Sequence, residues 1–236
     1  WIMDDVTPLR QLTQKVAQSG AWLFKPALAY RVMPAGFTGT PLPKDEPRGE
    51  NPPFGAYLDY YLESAATTPV GFDIYDAKGV LVRHFASNIA AQQPDISKIE
   101  STPDWYTVAT PPAASPGMHR FVWDLHYALP VALKGPHDFG DDGLWAAPGR
   151  YSVKLTVDGR TYSQPLQVAK DPRVTASVHD LEVQFGLAQE IETTHLQVAA
   201  VKQSIGALMK QLALLKGKVH GETAVTVAAL TQRMVN

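Results

Sequence analysis

The chain has 236 residues, of which 45% are hydrophobic and 19% charged, and its formal net charge is −2. These values are typical of one large or two small globular domains. With no long basic run in the sequence, they argue against the clustered basic face that binds nucleic acid or an anionic membrane surface. No apolar stretch approaches the roughly 20 residues that span a bilayer. The chain contains no Cys, which excludes disulfides, thiolate metal sites and cysteine nucleophiles within it.

The chain begins with a strand pattern, WIMDDVTPL over residues 1–9, and the next recognisable strand begins at residue 56. A lone strand leaves its backbone groups unpaired and its apolar side chains uncovered. We therefore expect residues 1–20 to be the last strand and exit of a preceding domain that this chain does not include. Residues 21–54 hold short extended pieces and then a run rich in Pro and Gly, which predicts a strap or linker.

Alternating apolar and polar residues predict a series of short strands in residues 55–170. The runs cover residues 56–63, 70–75, 80–85, 120–125, 151–158 and 162–168. Two turn signals separate them: Asp76-Ala77-Lys78-Gly79 and the type I′ hairpin pair Asp158-Gly159. Short alternating strands separated by turns predict an antiparallel β-sandwich of the immunoglobulin or fibronectin type, and hence a mainly β fold.

The periodicity becomes helical in residues 171–236, for which we expect a C-terminal α-helical hairpin. Ser177 and Asp180 have the spacing of a capping box at the start of the first helix. A mostly apolar stripe follows at Leu181, Phe185, Ala188, Ile191, Val198, Val201, Ile205, Leu208, Leu212 and Leu215. A break near Gly217 and Gly221 precedes a predicted second helix over residues 222–235, and we expect the hairpin to be truncated there. The stripe fits either a coiled-coil interface with a partner or packing against the rest of the protein.

Several motifs in fixed order carry a family resemblance that covers essentially the whole chain. They are WIMDDVTPLRQL, FKPALAYRV, NPPFGAYLDYYL, DIYDAKGVLVRHF, PGMHRFVWDLHY, APGRYSVKLTVDGRTYSQPLQVAKDPRV and the helical run from SVHDLEVQF. Together they resemble the C-terminal region of bacterial sortilin-like, BNR-repeat proteins, which are often described as glycosyl hydrolases.

The resemblance implies a large β-propeller before this chain, then an immunoglobulin-like sandwich and helices. Residues 1–20 would then close and leave the last propeller blade. The resemblance also implies a periplasmic or secreted bacterial protein. The propeller's S-x-D-x-G-x-x-W signature is absent from the sequence, so whatever the propeller binds or cleaves is not encoded here.

Two acidic groups are candidates for chemistry. Asp138, Asp141 and Asp142 share one loop with His137 and could hold Ca²⁺ through oxygen ligands, but their spacing does not match an EF-hand and a solvated turn is the preferred interpretation. Apart from this possible Ca²⁺, no cofactor is expected. The adjacent Asp4 and Asp5 could supply the two acids of glycoside hydrolysis, but neighbours on a strand point to opposite faces.

Loop aromatic residues are the candidates for carbohydrate binding, because flat rings can stack on sugars. Trp123 alternates with core positions and is predicted to be buried. Trp105 and Trp145 lie in predicted loops and are the carbohydrate-binding candidates, with loop anchoring as the alternative.

The sequence contains no catalytic constellation: its seven His are scattered and no G-x-S-x-G elbow is present. We predict a non-catalytic accessory module that braces the propeller or mediates assembly, and whose parent protein is a candidate glycoside hydrolase. The expected partners are the preceding propeller domain or subunit and, through the helices, a homo- or hetero-oligomer. The alternatives are a carbohydrate-binding module and a contributor to a glycosidase site shared with the propeller.

Overall fold

A computed structural model describes residues 5–33, 49, 52–90, 97, 110–134, 142–216 and 218–235. This part of the chain divides into two compact units. The first takes in residues up to 129 together with 135–186, and contains the strands and the first residues of a long helix. The second takes in residues 130–134 and 187 onward, and contains a 3₁₀ turn at Val131–Leu133 and most of the helical sequence.

The N-terminal segment is helical where the sequence predicts the end of a strand. Helix α1 spans Thr7–Arg10 and helix α2 spans Gln14–Ala17. The strand prediction is wrong for Thr7 onward. Pro8 lies in the first turn of α1, where its φ is compatible with a helix and the missing backbone N–H has no intrahelical acceptor to lose. The carboxylate of Asp5 also accepts the Thr7 amide at 2.9 Å. Residues 1–4 of the predicted strand lie outside the described residues.

Two short strands lie in the segment predicted as a strap. Strand β1, Ala21–Leu23, pairs antiparallel with strand β3, Ala56–Leu62. Strand β2, Ala29–Arg31, pairs in parallel with strand β10, Arg160–Lys170. The segment predicted as a strap or linker therefore contributes one strand to each of two sheets, which the sequence prediction did not include.

The strands form three sheets in the described part of the chain. The remaining strands are β4 Gly71–Tyr75, β5 Leu81–Ala86, β6 Gly117–Trp123, β7 His126–Ala128, β8 Asp142–Trp145 and β9 Gly149–Val157. The sheet orders are β1-β3-β6, β2-β10-β9-β4-β5 and β7-β8.

The predicted antiparallel immunoglobulin- or fibronectin-like sandwich is wrong. The five-stranded sheet is mixed, since β2 runs parallel to β10, and it curls into a half-barrel. Helix and strand contents are similar, about 33% and 31%, so the chain mixes α and β structure rather than being mainly β. Local alternation predicts where strands lie, but it does not reveal which distant strands pair or how strongly a sheet curls.

One hydrophobic core joins the three- and five-stranded sheets. Tyr60 of β3 packs edge-on against Phe72 of β4, with ring centroids 5.3 Å apart, and Phe72 stacks on Phe121 of β6 at the same distance. Trp123 is fully buried, as predicted, and its indole N–H donates to the His126 carbonyl. The alternation of β3, β4 and β9 places their apolar residues in this core.

The two predicted turns are confirmed. Asp158 and Gly159 both have positive φ, 47° and 75°, as a type I′ hairpin requires. In the other turn, the Asp76 carboxylate accepts the amides of Lys78 and Val80, each at 2.9 Å. These local hydrogen bonds fix the β9–β10 and β4–β5 connections.

Asp158 is expected to titrate below its ordinary range. Its carboxylate accepts hydrogen bonds from the hydroxyl and amide of Thr67, at 2.8 and 2.9 Å, and from the hydroxyl and amide of Thr68. The hydrogen bond from the Thr67 hydroxyl is the largest cause of the lowered pKa of Asp158. Because the folded pKa is depressed, this stabilisation is present above the unfolded pKa of about 3.9 and is lost as pH falls through the folded pKa. We expect Thr67→Val to raise the Asp158 pKa in an NMR titration. Thr175→Val is the control, and an unchanged pKa in Thr67→Val would contradict the assignment.

The helical segments lie where the sequence periodicity places them. Helix α3 spans Val178–Lys216, and helix α4 spans Glu222–Val235. The predicted capping box is confirmed, since the Ser177 hydroxyl accepts the Asp180 amide at 3.1 Å and Asp180 accepts the Ser177 amide at 2.8 Å. Within the described residues, no helix is both long enough and apolar enough to cross a membrane.

Candidate functional site

A concavity of about 550 Å³ lies in the first unit, beside β2 and the segment that enters β3. Its lining includes Asp5, Leu28, Tyr30, Pro53, Phe54 and Tyr57. Leu28, Tyr30 and Phe54 are 47%, 47% and 53% exposed, so three large apolar side chains of this surface face solvent. A concave surface of apolar and aromatic groups is the ordinary form of a small-ligand site.

The Tyr57 wall of the concavity is fixed by strand alternation. Ala56 and Leu58 point into the core, so Tyr57 between them points to the other face of β3. Its hydroxyl donates to the Pro53 carbonyl at 3.0 Å. The Arg120 guanidinium lies 4.5 Å from the centre of its ring, a cation–π contact that supports the aromatic wall.

Arg120 is itself held by a charged pair across the sheet. It lies opposite Asp59 in the β3–β6 register and donates to both carboxylate oxygens, at 2.8 and 3.1 Å. Its hydrogen bond with Asp59 raises the pKa of Arg120. Arg120 also donates to the Asp5 carbonyl at 3.1 Å. The buried Asp59 carboxylate thus orders the Arg120 guanidinium, which contacts the lining at the Tyr57 ring and at the Asp5 carbonyl.

Gly55 brings the lining close to β6. Its φ is 136°, and a Cβ built on it would lie 2.1 Å from the Trp123 carbonyl oxygen. Only glycine fits such a close approach at this backbone conformation. The aromatic walls at Phe54 and Tyr57 are therefore anchored to the core by a residue that has no side chain.

Trp145, a predicted carbohydrate-binding residue, is already engaged in stacking. It is partly exposed and ends β8. The guanidinium carbon of Arg31 lies 4.0 Å from its ring centre, and the His126 ring stacks nearly parallel to it at 6.1 Å. These contacts would compete with a sugar for the faces of the indole ring, and the carbohydrate-binding role of Trp145 stays a prediction.

Arg31 beneath this stack is a buried cation. It is 8% exposed, its Nε and Nη1 have no hydrogen-bond partner among the residues that the structure describes, and its Nη2 donates to Gln184 at 3.5 Å. Burial lowers its pKa, and the π face of Trp145 compensates part of the desolvation.

Tyr151, which lies close to Arg31, and its neighbour Tyr127 are buried tyrosines that stay protonated at neutral pH. Burial raises the pKa of Tyr127 to about 12, and it also raises the pKa of Tyr151. The Tyr151 hydroxyl donates to the Ala147 carbonyl at 2.7 Å. These groups act as structural hydrogen-bond donors rather than as bases.

Most of the other predicted site residues fall outside the described part of the chain. Trp105, Asp138 and Asp141 lie there, and Asp142 is described only as a backbone position of β8. The Ca²⁺ prediction therefore stays a prediction. Among the residues that the structure does describe, no group of three or more His, Asp or Glu side chains could hold a metal ion.

Sequence reasoning missed the concavity. A signal for it exists in NPPFGAY, where Phe54 follows a Pro pair and Tyr57 falls out of phase with the core positions of β3. The contribution of Tyr30 had no such signal, because it depends on β2 lying beside β10.

No protein-family model matches this chain, and no curated protein matches it either. The resemblance to sortilin-like, BNR-repeat proteins stays a prediction from the sequence motifs.

Proposed function

We propose that this chain is a non-catalytic accessory module that mediates assembly through helix α3. The sequence motifs support placing it beside a β-propeller in a periplasmic or secreted sortilin-like, BNR-repeat protein of the glycosyl-hydrolase-like kind. The observation that carries the assembly role is the apolar surface that α3 leaves open to solvent.

That apolar surface runs along most of the 39 residues of α3. Leu187, Val201 and Leu208 are 57%, 58% and 50% exposed, and Leu215 near the end of the helix is 43% exposed. Single exposed apolar residues are ordinary, but a row of them along one helix is typical of an interaction surface. Covering such a row releases water from apolar surface and favours association.

The mass of the native particle tests this role. Light scattering is expected to give a particle heavier than the 25.8 kDa chain, and denaturing mass spectrometry then shows whether the extra mass is the same chain or another. Val201→Glu should reduce the particle mass, because it places a charge in the apolar row. Gln203→Glu, at another exposed position of α3, is the matched control. A monomeric native particle contradicts the proposal.

A second candidate function is carbohydrate binding at the concavity. The exposed rings of Tyr30 and Phe54, with Tyr57 held by Arg120, support it, since apolar ring faces can stack on sugar rings. Calorimetric titration with a panel of oligosaccharides should detect binding that Phe54→Ala weakens at least about tenfold, the loss of one good apolar contact. Val80→Ala, at a 56% exposed residue outside this lining, should bind as the unaltered chain does. Equal affinities of the two variants would exclude this site.

A further inference from the structure

Helix α3 carries an unbroken heptad pattern within the second unit. Starting at Leu187, apolar residues and one Thr recur with alternating spacings of four and three. The set is Leu187, Ile191, Thr194, Val198, Val201, Ile205, Leu208, Leu212 and Leu215. At 1.5 Å per residue this seam is roughly 42 Å long. An apolar repeat of 3.5 residues sustained over four heptads is the pattern of a left-handed coiled coil.

The seam is open to solvent along its length. Ile191, Val198 and Ile205 are 51%, 47% and 37% exposed, and Leu215 is 43% exposed. A different side of the helix is partly covered, at Ala188, Glu192, Leu196 and Ala199, and burial raises the pKa of Glu192 there. The helix thus has one covered side and a separate apolar seam without a cover in the described structure.

The residue types of the seam match a parallel pair of helices. Three of the four a positions are β-branched, namely Ile191, Val198 and Ile205, and the fourth is Leu212. Leu occupies three of the five d positions, 187, 208 and 215, and the other two hold Thr194 and Val201. β-Branched residues at a with Leu at d favour two parallel strands over higher oligomers.

The polar member of the seam fits the same arrangement. The Thr194 hydroxyl donates to the Glu190 carbonyl of its own helix at 2.9 Å. Its hydrogen-bonding need is therefore met within one chain, and its methyl group can face the seam. Thr194 at d then costs packing volume without burying an unpaired hydroxyl.

The flanking positions are compatible with two copies in register. In a parallel pair the g position of one helix faces the following e position of the other. This places Glu190 opposite His195 and Gln197 opposite Lys202, so neither pair brings like charges together.

We propose that the seam is covered by a second copy of this chain, as a parallel, in-register, two-stranded coiled coil over residues 187–215. This inference rests on the proposed assembly role of α3 and names its partner. A second copy matches because it supplies the same heptad phase, the same length, and g and e residues that bring no like charges together.

Single-cysteine cross-linking tests the orientation, and the absence of native Cys makes it unambiguous. In a parallel in-register pair each d position lies opposite itself, within the Cα separation of about 4.4–6.8 Å that a disulfide needs. Leu187→Cys, Val201→Cys and Leu215→Cys are each expected to give a covalent dimer on mild oxidation. Gln203→Cys, outside the seam, is the control and should cross-link far less.

The outcomes separate this inference from the proposed function. Dimers from both Leu187→Cys and Leu215→Cys support the parallel pair, because an antiparallel pair would hold each of these positions far from its copy. Cross-linking of Val201→Cys alone overturns the parallel orientation. A particle heavier than one chain in which no seam position cross-links overturns the second copy as partner and leaves the assembly role intact. A monomeric native particle overturns both.

Discussion

Replacing Phe72 with alanine is expected to lower the free energy of unfolding by about 3–5 kcal/mol. Phe72 is fully buried and packs against both Tyr60 and Phe121, so its ring joins the two sheets. Removing the ring loses the free energy of transferring it from water to the core. It also leaves a cavity that the strands around Phe72 cannot close, because their sheet pairing holds them in place. Urea unfolding followed by circular dichroism measures the change.

Phe54→Ala is the matched control for that experiment. The same side chain is removed, but Phe54 is 53% exposed on the concavity, so its loss should change stability by less than about 0.5 kcal/mol. Similar losses for Phe54→Ala and Phe72→Ala would mean that the core is not centred where the two sheets meet. The same Phe54→Ala variant serves the carbohydrate titration, since it is expected to remain folded.

Replacing Gly55 with alanine is expected to cost at least about 2 kcal/mol, from backbone strain and steric overlap together. The added Cβ would lie 2.1 Å from the Trp123 carbonyl oxygen and 2.9 Å from a Val122 side-chain carbon. To relieve this overlap, the chain entering β3 must move away from β6 and carry Phe54 and Tyr57 with it. Thermal unfolding should therefore show a lower Tm, and any ligand of the concavity should bind more weakly.

Gly79→Ala separates the two causes. Gly79 also has a positive φ, 79°, but a Cβ there would meet no atom within 4 Å. It should cost only the left-handed backbone strain of about 1–2 kcal/mol. If Gly55→Ala costs no more than Gly79→Ala, the close approach to Trp123 is not a constraint on the fold.

The sequence predicted those elements whose pattern is local. The strands β3, β4, β5, β6, β9 and β10 follow alternation within single runs, and the Asp158-Gly159 hairpin follows from the φ values that two residues can adopt. The starts of α3 and α4 follow from periodicity and the Ser177 cap. Each of these depends on residues that are neighbours in the chain.

The missed features depend on residues distant in sequence. The parallel pairing of Ala29 with Val168 has no local signal in a three-residue strand, and it makes the five-stranded sheet mixed. The concavity joins Tyr30 to Phe54 and Tyr57 through that pairing. The stacking of Arg31 on Trp145 likewise has no signal in the spacing of either residue. The family resemblance implied the same immunoglobulin-like sandwich as the strand alternation, so it did not reveal the mixed sheet.

The segment that holds β1 and β2 has a consequence for aggregation and for the order of folding. β1 is an edge strand of the three-stranded sheet and β2 is an edge strand of the five-stranded sheet. Residues 21–31 therefore cover one edge of β3 and one edge of β10, which would otherwise be open to pairing with other molecules. Both strands have only three residues, which limits the template that they offer. Without this segment, β3 and the eleven-residue β10 would present open borders. Ala29 of β2 pairs with Val168 of β10, so forming this pair must close a long loop, which slows it relative to the local β9–β10 hairpin.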